Sequence, residues 1–266
     1  MSEVASKLTF EATSPVSIVL QVAVARRKGA GVQERLEVVN NGVPLPTEEL
    51  PSAAEGRQHL FHAQSGSIAV TYDATVSLSA AEPAPVTTLE RVEALRPSRY
   101  CPSDRMAGFA QGHFDQPDAA TRVRAICDYV WRYTDYVFGT SGPTTDAADT
   151  LESGQGVCRD FAHLVATLCR AALVPARVAA VYAPGLAAMD LHVVVETEID
   201  GFWQVWDATR LAPRQTLVRI ATGRDAADIA FATVLSGEAQ LTELNTMAIA
   251  DGDLPFDDHQ GLAVLR

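Results

Sequence analysis

The chain has 266 residues, 47% of them apolar and 20% charged, an ordinary composition for a globular protein and long enough for one large domain or two smaller ones. A formal net charge of −12 argues against a nucleic-acid partner or an anionic membrane surface. Residues 1–10 lack the basic start and continuous apolar run of a secretory signal, and no window is long and apolar enough to span a bilayer, so a cytoplasmic location is expected.

Residues 1–82 read as a small antiparallel β domain. Strands are expected over 8–11, 16–25, 34–39, 59–62 and 67–78; Ile68, Val70 and Tyr72 alternate with polar or small neighbours, the period of a half-buried strand. Asn40-Asn41-Gly42 is a turn signal, and Gly29-Ala30-Gly31 reads as a loop. The run Ala80-Ala81-Glu82-Pro83-Ala84-Pro85 breaks the pattern and marks a boundary. A core over 83–240 and an extension over 241–266 follow.

Beyond the boundary the period changes to that of a helix. Over 117–131, Ala119, Val123, Ile126, Cys127 and Val130 recur at helical spacing, with Pro117 near the start. Residues 140–150 read as a loop rich in Ser, Thr, Gly, Pro and Asp. A second helix is expected over 158–173, with Phe161, Leu164, Val165, Leu168 and Ala172 in one apolar stripe and Pro175 ending it. Strands are expected over 177–182, 191–197 and 202–208, a short helix over 226–231, and an irregular, acidic surface tail over 251–258.

Cys158 opens the second helix, in Gly154-Gln155-Gly156-Val157-Cys158-Arg159-Asp160. Unpaired backbone N–H groups and the helix dipole favour a thiolate there. Downstream, Asp200-Gly201 is the signature of a two-residue hairpin turn of type I′. That turn pairs Ile199 with Phe202, and the register then sets His192 opposite Thr209 and Asp207 opposite Val194. His192 and Asp207 become diagonal neighbours on one face, within reach of a hydrogen bond. A one-residue slip would part them. The expected triad is Cys158 as nucleophile, His192 as base and acid, and Asp207 as the carboxylate that fixes the tautomer. The Cys158 N–H would hold part of an oxyanion, with Gln155 as the candidate for a second donor.

The block Gly156-Val157-Cys158-Arg159-Asp160-Phe161-Ala162-His163-Leu164 resembles the nucleophile motif of the transglutaminase-like superfamily, in its bacterial two-domain form. Asp190-Leu191-His192 and Trp206-Asp207-Ala208-Thr209-Arg210-Leu211-Ala212-Pro213 resemble its His and Asp blocks. Pro97-Ser98-Arg99-Tyr100-Cys101-Pro102-Ser103-Asp104 and Gly223-Arg224-Asp225-Ala226-Ala227-Asp228 are similar to further blocks of the same group, so the resemblance touches most of residues 95–235. It implies an α+β papain-like core, in which a nucleophile-bearing helix packs on an antiparallel sheet carrying His and Asp. It also implies amide chemistry as a thiol peptidase, amidase or acyl transferase. The chain departs from the family at Val194, where an aromatic residue is common two places after the His.

The function expected is therefore a cysteine-dependent amide-bond enzyme working through a thioester, with hydrolysis preferred and a peptide or protein amide as substrate. No metal or organic cofactor is required. The alternative is a non-catalytic peptide- or protein-binding module that retains the fold. Cys101, Cys127 and Cys169 read as buried small hydrophobes. A Cys158–Cys169 disulfide is excluded, because eleven residues on one helix span roughly 16 Å. His163 lies roughly 140° around the helix from Cys158 and reads as structural, as does Asp160 in the first turn. Tyr182, Trp203 and Trp206 read as core or cleft wall; Trp131, Tyr133 and Tyr136 precede the loop before Cys158 and read as core, with one of them lining the cleft as the alternative; His59, His62, His113 and His259 stand in no partner pattern.

Overall fold

The structure is a computed structural model that describes residues 1–77 and 82–265. The expected boundary over 80–85 therefore falls partly outside the described residues. The strands are β1 (Ser2–Ala12), β2 (Val16–Leu20), β3 (Gly31–Asn40), β4 (Val43–Leu45), β5 (Glu48–Pro51), β6 (Arg57–Ala63) and β7 (Gly66–Ser77). Then follow α1 (Thr88–Glu93), α2 (Ala107–His113), α3 (Ala119–Tyr133), β8 (Asp135–Tyr136), α4 (Ala147–Ser153), β9 (Gln155–Gly156) and α5 (Cys158–Ala171). The chain closes with β10 (Ala176–Tyr182), β11 (Leu191–Ile199), β12 (Phe202–Trp206), β13 (Val218–Gly223), β14 (Ala232–Ser236) and β15 (Ala239–Ala250).

Antiparallel strands build the N-terminal part, in the orders β15-β1-β7-β3-β4 and β14-β2-β6-β5. β7 alternates buried and exposed residues along its length, so Ile68, Val70, Tyr72, Ala74 and Val76 enter one apolar core. Two strands of these sheets, β14 and β15, come from the far end of the chain. Residues 232–250 return to pair with β2 and β1.

The core follows the expected α+β plan. The sheet β12-β11-β10-β13 is antiparallel, and α5 packs on β10 and β11 with Phe161, Leu164, Val165 and Leu168 buried. This helix stops because Leu173 takes φ 61° and Pro175 follows. Tyr182 ties the core to the N-terminal sheets: its hydroxyl donates to the Val22 carbonyl at 2.9 Å and lies 2.7 Å from Ser6 Oγ. Among the described residues, no helix is long and apolar enough to cross a membrane.

Four local expectations are corrected. The 226–231 segment is a turn, not a helix, because Asp225 and Asp228 carboxylates accept backbone N–H groups of Ala227 and Arg224 there. The loop over 140–150 gives way to α4 at Ala147, started by an Asp146–Asp149 capping box. The strand from Val16 ends at Leu20 rather than running on to residue 25, and Arg57 donates to the Val24 carbonyl beyond it. Trp131 and Tyr133 are 46% and 67% exposed, on the outer side of the last turn of α3.

Candidate active site

Cys158 stands at the first position of α5 because the preceding residues turn in little space. Gly154 has φ +66° and caps α4 in the left-handed region. A Cβ on Gly156 would come within 2.6 Å of Asp160 Cβ. Asp160 is buried and accepts the Val157 N–H at 2.9 Å and the Ser141 hydroxyl at 2.9 Å, so it pins the loop before the helix to its first turn. Val157, the residue that caps the helix, offers no side-chain acceptor. The N-terminus of α5 is thus left electropositive beside the thiol.

Of the four free cysteines, Cys158 alone is not fully buried. Burial pushes the Cys101 and Cys127 thiols up to about 11 and about 12, and holds Cys169 well above the ordinary thiol value. Those three are buried thiols in the core, the place expected of small hydrophobes.

His192 and Asp207 meet on one face of the sheet. His192 Nε2 lies 2.9 Å from Asp207 Oδ2, and both side chains are enclosed. Thr209 completes the shell of the carboxylate, donating its N–H at 2.9 Å and its hydroxyl at 2.7 Å to Oδ1. With Nε2 engaged, Nδ1 has no hydrogen-bond partner in the structure and is the imidazole nitrogen still free. Burial works against a charged imidazole, but the Asp207 carboxylate and then the Cys158 thiol outweigh it and raise His192 to about 10. Asp207 moves the other way. Burial opposes its ionisation, yet His192 and Thr209 hold it below the usual carboxylate range. The thiol sulfur of Cys158 lies 4.0 Å from the carbonyl of Leu191, the residue that opens β11 and precedes His192.

Tyr136, read from the sequence as core with a place in the cleft wall as the alternative, joins this cluster. β8 pairs with β9 in parallel and sets Tyr136 opposite Gly156, two residues before Cys158, so the Cys158 thiol and backbone N–H act electrostatically on its hydroxyl. Burial and the neighbouring thiol raise its pKa, so it stays a neutral O–H donor. Its ring is braced by Phe161 and Phe138, with centroids at 5.9 and 5.4 Å. Gln155, by contrast, is exposed on β9 opposite Asp135.

The outlying sequence blocks converge behind α5. His163 is completely buried, its Nε2 accepts the Ala226 N–H at 3.0 Å, and its ring stacks on Tyr100 at 5.3 Å. Burial, with Arg159 adding to it, drives His163 down to about 3, so it stays neutral. Asp225 accepts the Tyr100 N–H at 2.9 Å. Arg170 reaches the carbonyls of Ala176, Arg96 and Arg224. Among the described residues, no group of three or more His, Cys, Asp or Glu side chains is placed to hold a metal ion.

Residues 109–208, which include Cys158, His192 and Asp207, match the family model of the transglutaminase-like superfamily. A solved structure from Cytophaga hutchinsonii, described as a candidate cysteine protease, superposes with a TM-score of 0.88 at 32% identity, over 98% of this chain and 95% of that one. The periplasmic domain of TgpA from Pseudomonas aeruginosa is a looser likeness, with a TM-score of 0.41 and 15% identity over 77% of this chain and 87% of that one. An uncharacterized protein of Mycobacterium leprae is 26% identical over 147 residues, 52% of this chain and 53% of that protein, so the chain spans about half the length of this curated relative. Carried by 32% identity over nearly the whole of both chains and by the family match across the site, the chain belongs to the transglutaminase-like superfamily.

Proposed function

We propose that this protein is a cysteine-dependent amide-bond enzyme in which Cys158, His192 and Asp207 act as a catalytic triad on a peptide or protein substrate. The observation that carries the reading is the enclosed His192–Asp207 hydrogen bond of 2.9 Å, with the remaining imidazole nitrogen available to a thiol at a helix N-terminus. The candidate cysteine protease from Cytophaga hutchinsonii supports the same enzyme kind.

His192 takes the thiol proton as the base, Asp207 stabilises the imidazolium, and the nucleophile stands at the α5 N-terminus. The thiolate attacks the amide carbonyl carbon, and the carbonyl π pair moves onto oxygen. The Cys158 N–H and the Tyr136 hydroxyl are the donors for that oxyanion, in place of the exposed Gln155. His192 gives its proton to the amine nitrogen, the C–N bond breaks, and a thioester remains. Water then attacks the thioester carbon, His192 takes its proton, and the thiolate leaves. Hydrolysis is the default outcome, since a site open to solvent offers water as the acceptor.

The test is the pH dependence of iodoacetamide alkylation at Cys158, read by peptide mass spectrometry in wild type and His192→Ala. An activated thiolate reacts well below pH 7, and loss of His192 moves the profile toward an ordinary thiol near about 8.5. A Cys158 that titrates as an ordinary thiol in both proteins would remove the ion pair and leave a peptide-binding module as the better reading.

A further inference from the structure

Residues 251–258 are irregular and exposed apart from Asp257, as expected of an acidic surface tail, but two side chains anchor the segment that follows β15. Asp257 has a side-chain exposure of 2%, and Leu265 is completely buried against Val205, Val194 and Leu217. Arg214 explains the first: its Nε and Nη2 grip the two Asp257 oxygens, each at 2.8 Å, and its own backbone N–H adds a third bond at 2.9 Å. The guanidinium is itself 1% exposed.

The target of this clamp is β12, an edge strand whose last residue precedes Asp207. Val205 sits there with its backbone N–H and carbonyl facing away from β11. The N–H donates to the Ala263 carbonyl at 2.7 Å, and the carbonyl accepts Arg214 Nη1 at 3.0 Å. Both outward groups of Val205 are thus held by the tail, one directly and one through the Arg214–Asp257 pair. Arg214 also lies over the Trp206 ring, 5.6 Å from its centroid. Beyond Val205, the Leu265 carbonyl is held by Arg219 and Arg27. His259 faces Asp207 and Asp257 from the same segment, while His192 and Thr209 face Asp207 from the sheet side.

We infer that residues 254–265 are a positioning strap for the catalytic carboxylate, with Asp257 acting on Asp207 through Arg214 and the backbone of Val205. The inference rests on the triad reading above. An edge strand left unpaired at its end is free to shift or fray. Here it must hold a carboxylate within hydrogen-bond reach of His192, and the strap supplies the missing partner on the open side. Asp257 is a positioning residue: it touches neither substrate nor thiol.

The experiment is histidine NMR on the full chain, following the His192 ring through a pH titration, with its signal assigned by its loss in His192→Ala. The wild-type midpoint is expected near 10. Asp257→Asn is expected to lower that midpoint by at least one unit, as Asp207 moves off the ring. The paired variant Arg214→Met/Asp257→Leu keeps an apolar plug and removes the clamp; it is expected to show the same displacement, and it decides the matter if Asp257→Asn fails to fold. Thermal midpoints are recorded in parallel. A lower Tm with an unmoved His192 midpoint would make the tail a structural staple only and overturn the inference while leaving the triad intact. A wild-type His192 that titrates near about 6.5 removes the triad reading itself, a failure visible without any tail variant.

Discussion

His192 Nε2 and Asp207 Oδ2 meet at 2.9 Å across a hairpin whose register is set by two residues that touch neither. Asp200 and Gly201 take φ 53° and 84°, the left-handed pair that a type I′ turn requires. From there the pairs run without slip from Ile199–Phe202 to Val195–Trp206, bringing the imidazole and the carboxylate to the same face. The charge state of His192 follows from this contact, and so does the first prediction.

Replacing Asp207 by Asn keeps the shape of the side chain and removes the charge that holds the His192 proton. The raised His192 pKa falls toward its ordinary value, so less of the imidazolium persists at neutral pH and the thiolate loses its partner. Alkylation of Cys158 at pH 6 should slow at least about tenfold, one pKa unit's worth. An unchanged rate at pH 6 would show that Asp207 does not govern the thiol.

Tyr136→Phe separates the oxyanion donor from the nucleophile. Its hydroxyl interacts electrostatically with the Cys158 N–H, so its loss should leave Cys158 readily alkylated at pH 6. Acylation by a p-nitrophenyl ester, followed as a stopped-flow burst, should slow by about 10- to 100-fold, approaching the usual effect of deleting one oxyanion donor. Equal losses in both assays would assign Tyr136 to the thiolate instead.

Acid sensitivity follows from His163. Its folded pKa is depressed to about 3, so between pH 6.5 and 3 the unfolded chain binds a proton that the folded chain does not. This stabilisation is complete above pH 6.5 and is lost as pH falls toward 3, at up to about 1.4 kcal/mol per pH unit for one group. His59 and His259 are depressed too and add to the slope. Urea unfolding at pH 7 and pH 5 should show a smaller pH penalty in His163→Gln than in wild type.

Glu196 is the anionic hub at the other end of β11. Buried itself, it accepts Arg177 Nε at 2.9 Å and the buried Arg219 Nη2 at 2.6 Å. Burial opposes its charge, but the two arginines outweigh it and hold its carboxyl near about 2. Its share of stability is therefore present above pH 4.5 and lost as pH falls toward 2. Glu196→Gln leaves the buried Arg219 guanidinium without its counter-ion and Arg177 with Glu90 alone, and should cost about 3–5 kcal/mol at pH 7, read from the urea midpoint.

What the sequence by itself determined is local. The stripe Phe161, Leu164, Val165, Leu168 declares a helix because its period brings those side chains to one face, and Asp200-Gly201 declares a hairpin because few residues tolerate φ > 0 twice in succession. Those two devices suffice to bring His192 to Asp207 and to put Cys158 at a helix start. The short α4 escaped the pattern because an Asp146 cap starts it inside a stretch of turn formers. What only the tertiary structure decided is which distant groups converge. Tyr136 reaches Cys158 through two residues of parallel pairing, too few to show a period. β14 and β15 find β2 and β1 at the opposite end of the chain, and Asp257 finds Arg214 through a buried charge pair rather than a repeat. Periodicity and turn chemistry act over a few bonds, whereas the partner of a buried charge or an open strand edge is chosen by the packing of the whole chain.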